Sequence, residues 1–194
     1  MNRLVHMHKC FPERLSFLLY NPIRQRLNPP ERLISKLGVG DKDTVIDFGC
    51  GPGFYTIPLA RITARTIGID ISAKMLKQAR QHAKKAGVRV ELMQSEGISI
   101  GLEDESVDLV ILVHVFHETE DKDHVLREFF RLLKSSGRLI IVERTRTNSF
   151  LGRKFGPPVI EHGDVIHVIT KVGFAVIDLV QHGEDSVFIA GTKR

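Results

Sequence analysis

Tryptophan is absent from the chain, and cysteine occurs only twice, as Cys10 and Cys50. Two thiols provide no disulfide framework, so the fold must rest on ordinary apolar packing, and a reducing cytoplasm is the expected setting. A length of 194 residues suffices for one domain with a core of normal size. No run of about 18 apolar residues occurs, so no membrane-spanning helix is expected. The first ten residues carry His6, His8 and Lys9 without an apolar stretch, and do not read as a secretory signal. Neither sign of charge dominates: 28 Lys and Arg against 23 Asp and Glu leave a formal charge of +5. The basic residues are dispersed along expected helices such as residues 74–85, where a solvated face is the simpler account. Basic stretches interleaved with aromatics, internal repeats and low-complexity segments are also missing. What remains is the balance of a soluble globular domain.

One stretch organises the chain: Val45-Ile46-Asp47-Phe48-Gly49-Cys50-Gly51-Pro52-Gly53-Phe54. It reads as a buried strand, a glycine-rich turn, and a helix starting near Phe54. Glycine at every second position lets the backbone take positive φ and approach a ligand with no Cβ in the way. The dinucleotide fingerprint GxGxxG fits poorly, because the spacing is GxGxG and Phe54 stands where the third glycine should be. Asp47, just ahead of the glycines, would also repel a pyrophosphate while favouring an ammonium or sulfonium group. A nicotinamide oxidoreductase is therefore disfavoured, and a ligand-free βα turn is the bland alternative.

An acid followed by GxGxG resembles the first motif of the class I S-adenosylmethionine-dependent methyltransferases, of the small-molecule type. The resemblance covers roughly residues 41–194. It implies a doubly wound, Rossmann-like α/β fold of about seven strands, with helices on both faces and a C-terminal antiparallel hairpin. It also implies S-adenosylmethionine as cofactor, held by Asp47, Gly49, Cys50, Gly51 and Gly53. Residues 1–40 are expected to form a helical cap over the active site of a single compact unit whose 41–194 portion binds the cofactor.

The alternation of strands and helices agrees with that fold. Helices are expected over 11–20, 22–27 and 30–37, the last stopped by Gly38, then over 54–64, 72–86, 122–134 and 159–172. The final helix should break near Gly163 and Asp164. Strands are expected over 44–48, 66–70, 88–93, 107–115, 138–143, 173–180 and 186–192. Asp70 ends the second strand, where an acid reaches ribose hydroxyls. It matches the family's ribose acid, with Ile71 placed against adenine; a helix cap is its other reading, although Ser72 caps better. Ser95, Glu96 and Gly97 stand where the family holds adenine, with Glu96 the acceptor of the amino group or simply an exposed carboxylate.

His114, His117 and Glu118 follow the most apolar strand, at the carboxyl end where such sheets bind ligands. His114 and His117 are the catalytic candidates, as a base or as orienting groups, with His114 also lining the cofactor; a structural cap of the strand is the alternative. No NPPY or DPPY tetrad follows that strand, which argues against methylation of exocyclic base amines. Arsenite methylation needs several thiols, and only Cys10 is free for that. A small-molecule acceptor is the leading partner, with nucleic acid or protein methylation, or pure cofactor binding without chemistry, as rivals. His6, His8 and Cys10 alternate in zinc-ligand fashion but lack a fourth ligand nearby, so no metal is assigned. Residues 145–158, rich in polar residues, Gly and Pro, are expected to form a loop or lid.

Overall fold

The computed structural model describes residues 19–144, 160–182 and 186–193. Strand β1 (Thr44–Phe48) lies inside a seven-stranded sheet, paired in parallel with β2 (Arg65–Asp70) and with β4 (Val107–Val113), the central strand. Beyond β2 lies β3 (Glu91–Gln94), and beyond β4 lies β5 (Leu133–Arg144), both parallel. The antiparallel strands β6 (Phe174–His182) and β7 (Ser186–Lys193) complete the order β3-β2-β1-β4-β5-β7-β6. The chain leaves β1 towards β2 on one side, and β4 returns on the other. That reversal opens a crevice at the carboxyl ends of β1 and β4, the place where doubly wound sheets bind ligands.

Two-residue alternation sends side chains of each strand to opposite faces. Val45, Leu109, Ile111, Ile140 and Val142 pack with Leu33, Ile34 and Leu37 of α2 (Glu31–Leu37) and Leu59 of α3 (Thr56–Leu59). Ile46, Phe48, Val110, Leu112, Leu139 and Ile141 pack with Phe129 of α5 (Lys122–Leu132) and Val165 and Ile169 of α6 (His162–Val172). Helix α4 (Ala73–Ala86), capped by Ser72 and stopped by Gly87, buries Met75, Leu76, Ala79 and Ala83. Helix α1 (Pro22–Leu27) buries none of its residues. Arg138 on β5 donates to the carbonyls of Leu37 and Gly38, which fastens the end of α2 to the sheet.

Several boundaries differ from those expected. The helix over 54–64 shrinks to Thr56–Leu59, because Pro58 offers no N–H and both N–H and hydroxyl of Thr63 bind Leu59 O, turning the chain into β2. Helix α5 ends at Leu132, and residues 135–137, between the expected helix and strand, are drawn into a β5 that bulges between its pairings with Val107 and Leu109. Lys134 there binds the Asp108 carboxylate. No break occurs near Gly163: α6 simply begins there, with Asp164 in its first turn where the dipole favours an acid. Strand β4 stops at Val113, because His114 takes φ of +57°. The segments 1–18 and 145–159, which hold His6, His8, Cys10 and the expected loop, lie outside the described residues, as do 183–185 of the hairpin turn. Among the described residues no helix is long and apolar enough to cross a membrane.

Candidate active site

The turn after β1 is folded by its own amides. Gly49 N and Cys50 N both donate to Ile69 O, at 2.8 and 2.9 Å, and Gly53 N donates to Cys50 O. Gly51 N donates to Asp70 Oδ2 at 2.8 Å, and Ser72 N to Asp70 Oδ1 at 2.8 Å. Asp70 thus clasps the glycine turn to the end of β2. Only glycine fits at position 49: φ is +72°, and a Cβ would lie 2.3 Å from Val115 Cγ2. At Gly51, with φ of +54°, a Cβ would meet only Leu19 Cδ1, at 3.9 Å, so a side chain there would fill the space between turn and Leu19.

Asp47 and Cys50 lie beneath this turn. Asp47 is 2% exposed and accepts a 2.6 Å hydrogen bond from Thr56 Oγ1, tying β1 to α3. Burial raises its carboxyl to about 6, against the lowering effect of the Thr56 bond. Burial likewise pushes the Cys50 thiol well above its usual range. Ile71 and Glu96 are exposed at the rim, at the ends of β2 and β3. Gly97 is buried, with Phe48 Cε2 2.6 Å from where its Cβ would be.

On the β4–β5 side two histidines differ sharply. His114 donates its backbone N–H to Val142 O at 2.8 Å, while its side-chain Nδ1 is buried without a hydrogen-bond partner. Burial pulls its imidazole down to about 4, so it is neutral at pH 7. His117 Nδ1 lies 3.0 Å from Glu143 Oε2, and its backbone N donates to Glu143 Oε1 at 3.2 Å. Its Nε2 faces Glu118 Oε1 at 3.7 Å. Burial alone would lower the His117 imidazole, but the Glu143 bond and the charges of Glu143 and Glu118 outweigh it and hold it above its ordinary value. Glu143, 2% exposed at the end of β5, went unnoticed in the sequence; its only signal is an acid closing the apolar run Leu139–Val142.

Residues 19–24 lie against the glycine turn. Tyr20 stacks on His82 at 3.9 Å, and His82 Nδ1 is 2.9 Å from Pro52 O. The Arg24 guanidinium sits 4.2 Å over the Phe54 ring. The structure therefore gathers Gly49, Gly51, Gly53 and Asp70 into one hydrogen-bonded turn. It sets His114 and His117 across from them at the neighbouring strand end, and leaves Ile71 and Glu96 at the rim.

Residues 46–141 match a family described as a methyltransferase domain. Similar curated proteins include a ubiquinone biosynthesis O-methyltransferase from Chelativorans sp., 27% identical over 75% of this chain and 56% of that protein. Another is the Escherichia coli ubiquinone/menaquinone biosynthesis C-methyltransferase UbiE, 29% identical over 72% of this chain and 55% of that protein. The chain thus spans little more than half the length of the curated relatives it matches. Among solved structures, a SAM-dependent methyltransferase from Aquifex aeolicus superimposes with a TM-score of 0.85 at 26% identity, covering 94% of this chain and 99% of that one. The magnesium protoporphyrin IX methyltransferase of Synechocystis PCC 6803, solved with bound SAH, shares the fold with a TM-score of 0.67 at 21% identity, covering 90% and 88%.

Proposed function

Because the chain belongs to the class I S-adenosylmethionine-dependent methyltransferases, we propose that it transfers the sulfonium methyl group of S-adenosylmethionine to a small-molecule acceptor. The residues present fit that cofactor: a glycine turn at positive φ that a side chain at Gly51 would fill, and a carboxylate fixed beside it. Asp70 would hold the ribose hydroxyls, Ile71 and Glu96 with Gly97 the adenine, and the turn from Gly49 to Gly53 the methionine end. When bound, the cofactor supplies an electrophilic methyl group. The chain's own work is to orient the acceptor, exclude water and receive a proton.

The observation that carries this reading is the buried His117–Glu143 pair at the ends of β4 and β5, beside the switch point. Glu143 keeps the imidazole proton on Nδ1, which leaves the Nε2 lone pair for the proton released by the acceptor. His114, neutral and with an unpaired Nδ1, would accept a hydrogen bond from a bound group rather than carry charge. Both curated relatives are named for ubiquinone biosynthesis, one an O-methyltransferase and one a C-methyltransferase. Those names favour a small organic acceptor and differ in the accepting atom. A cytoplasmic setting is part of the same reading. The test supplies purified protein and methyl-labelled S-adenosylmethionine to a cell extract, then separates small molecules, RNA and protein. Label is expected in the small-molecule fraction; label confined to RNA or protein would overturn the acceptor class, and no label at all would leave a cofactor-binding protein without transfer.

A further inference from the structure

All of the chain's net positive charge comes from one segment. Residues 61–91 hold eight of the 28 Lys and Arg but only two of the 23 Asp and Glu. The rest of the chain, with 20 against 21, is balanced. Of the two acids, Asp70 is committed to the glycine turn. The other, Glu91, is held by Arg65 through two 2.7 Å hydrogen bonds.

These cations are dispersed along the sequence, and the helical period gathers them. Met75, Leu76, Ala79 and Ala83 face inward from α4, so Lys74, Lys77, Arg80, Lys84 and Lys85 stand exposed on its outer side, with no acid among them. The stability of the helix accounts for only part of this. Lys84 and Lys85 lie in the last turn, where the dipole favours cations, but Lys74 stands in the first turn, where it favours acids. Lys77 and Arg80, and Arg80 and Lys84, are also spaced to repel one another. Lys77, Arg80, Lys84, Lys85 and Arg89 form no ion pair among the described residues. A face that repels itself and leaves its charges unanswered is matched by an external anion.

The layout of the charges sets the kind of anion. Five cations are spread along 14 residues of helix, about 21 Å, farther than one phosphate or carboxylate can bridge. Beyond Gly87, Arg89 joins Arg80 and Lys84 around an open groove that Arg65 and Glu91 also line. A phosphate backbone can enter such a groove, whereas a flat bilayer meets only the ridge beside it. The outer side of α4 offers no aromatic or large apolar side chain to lipid or to bases, so contact there runs through charge alone. We propose that the outer side of α4, with the groove beside the start of β3, binds the phosphate backbone of nucleic acid without regard to base sequence. The groove opens where β2 and β3 begin, at the end of the sheet opposite the crevice. The nucleic acid held there is therefore a partner separate from the methyl acceptor.

The test titrates the full chain into a fluorescent DNA duplex of about 20 base pairs and reads anisotropy at several salt concentrations. Micromolar binding is expected near about 0.1 M salt, with affinity falling against salt at a log–log slope of about −3 to −4, as for four contacted phosphates. A duplex of unrelated sequence should bind equally. Arg80→Gln/Lys84→Gln should weaken binding by about tenfold and make the slope shallower by about 2. Arg32→Gln/Lys36→Gln removes the same charge from exposed positions on α2 and should leave binding near the wild-type value. Saturating S-adenosylhomocysteine should leave it unchanged too, and thermal melting checks that both variants fold. Failure of the wild type to bind, or equal losses from the two double variants, would overturn the assignment. So would release of the duplex by S-adenosylhomocysteine, which would place nucleic acid in the crevice, or binding to phosphatidylserine vesicles but not to the duplex.

Discussion

The two sides of the crevice are wired differently, although both are built from strand ends and carboxylates. On the β1–β2 side Asp47 and Asp70 are bonded to a hydroxyl and to backbone amides. None of those partners titrates near neutral pH, so these acids hold a shape. On the β4–β5 side Glu143 is bonded to an imidazole, a partner whose charge changes near physiological pH. The same residue class thus makes a rigid seat in one place and a proton-handling pair in the other. The two buried acids even point to opposite faces of the sheet: Asp47 follows Val45 towards α3, and Glu143 follows Ile141 towards α5. Substitutions on the two sides should therefore damage different quantities.

The largest expected effect is at Glu143. Glu143→Gln keeps the size of the side chain and removes the charge that holds the His117 imidazole above its ordinary value. A base must be neutral to accept a proton, so in the wild type kcat should rise with pH through that raised pKa. In the variant kcat should fall by about 10²-fold or more, with the rising limb moved to lower pH. Affinity for S-adenosylhomocysteine should be unchanged. An equal loss of affinity would show that the two sides act as one unit and would break the comparison.

Asp70 gives the reverse pattern and a smaller number. Asp70→Asn removes the charge beside the glycine turn and sets an amide against two N–H donors. Charge-assisted hydrogen bonds contribute about 1.5–3 kcal/mol, so affinity for S-adenosylhomocysteine should fall by roughly 10- to 100-fold. At saturating donor, kcat should stay within a few fold of wild type. Stopped-turnover assays at several donor concentrations separate the two parameters, and a collapse of kcat with intact affinity would reverse the assignment of the sides.

The difference also explains what could be read from the chain. The donor side is written locally: ten contiguous residues hold the turn, and Asp70 lies 19 positions beyond Gly51 on the next strand. Periodicity and glycine spacing are sensitive at that range. The acceptor side is assembled by pairing of β4 with β5, which brings Glu143 to His117 across 26 residues, and no local pattern announces it. The contact of Arg24 with Phe54 has no local signal either, since it depends on how α1 folds back on the turn. Helix ends are least legible where side chains compete with the backbone, as Thr63 does for Leu59 O. Asp47 was visible as an acid but not as a buried one. A strand residue before a glycine turn can face either side of the sheet, and only the position of Thr56 decides which.

Burial of Asp47 gives the smallest and most local test. Its folded carboxyl titrates near 6, well above an ordinary aspartate. Below the unfolded value both states carry the proton, and this group costs the fold nothing. As pH rises through the window from about 4 to 6, the unfolded chain loses the proton first, so the folded state becomes relatively less stable. Above that window both are ionised and the penalty is constant. Each pKa unit between the two states corresponds to about 1.4 kcal/mol, and the effect on stability is of that order. Asp47→Asn cannot titrate, so its urea midpoint should fall less between pH 4 and 6.5 than the wild type's. The His117–Glu143 pair lies in a separate window. Its raised imidazole contributes stability below about 6.5 that is lost as pH rises further, and Asp47→Asn should leave that limb in place. Parallel wild-type and variant curves through the acid window would mean that Asp47 is ionised and solvated in the folded protein, and the donor side would lose its description as a seat built on a buried acid.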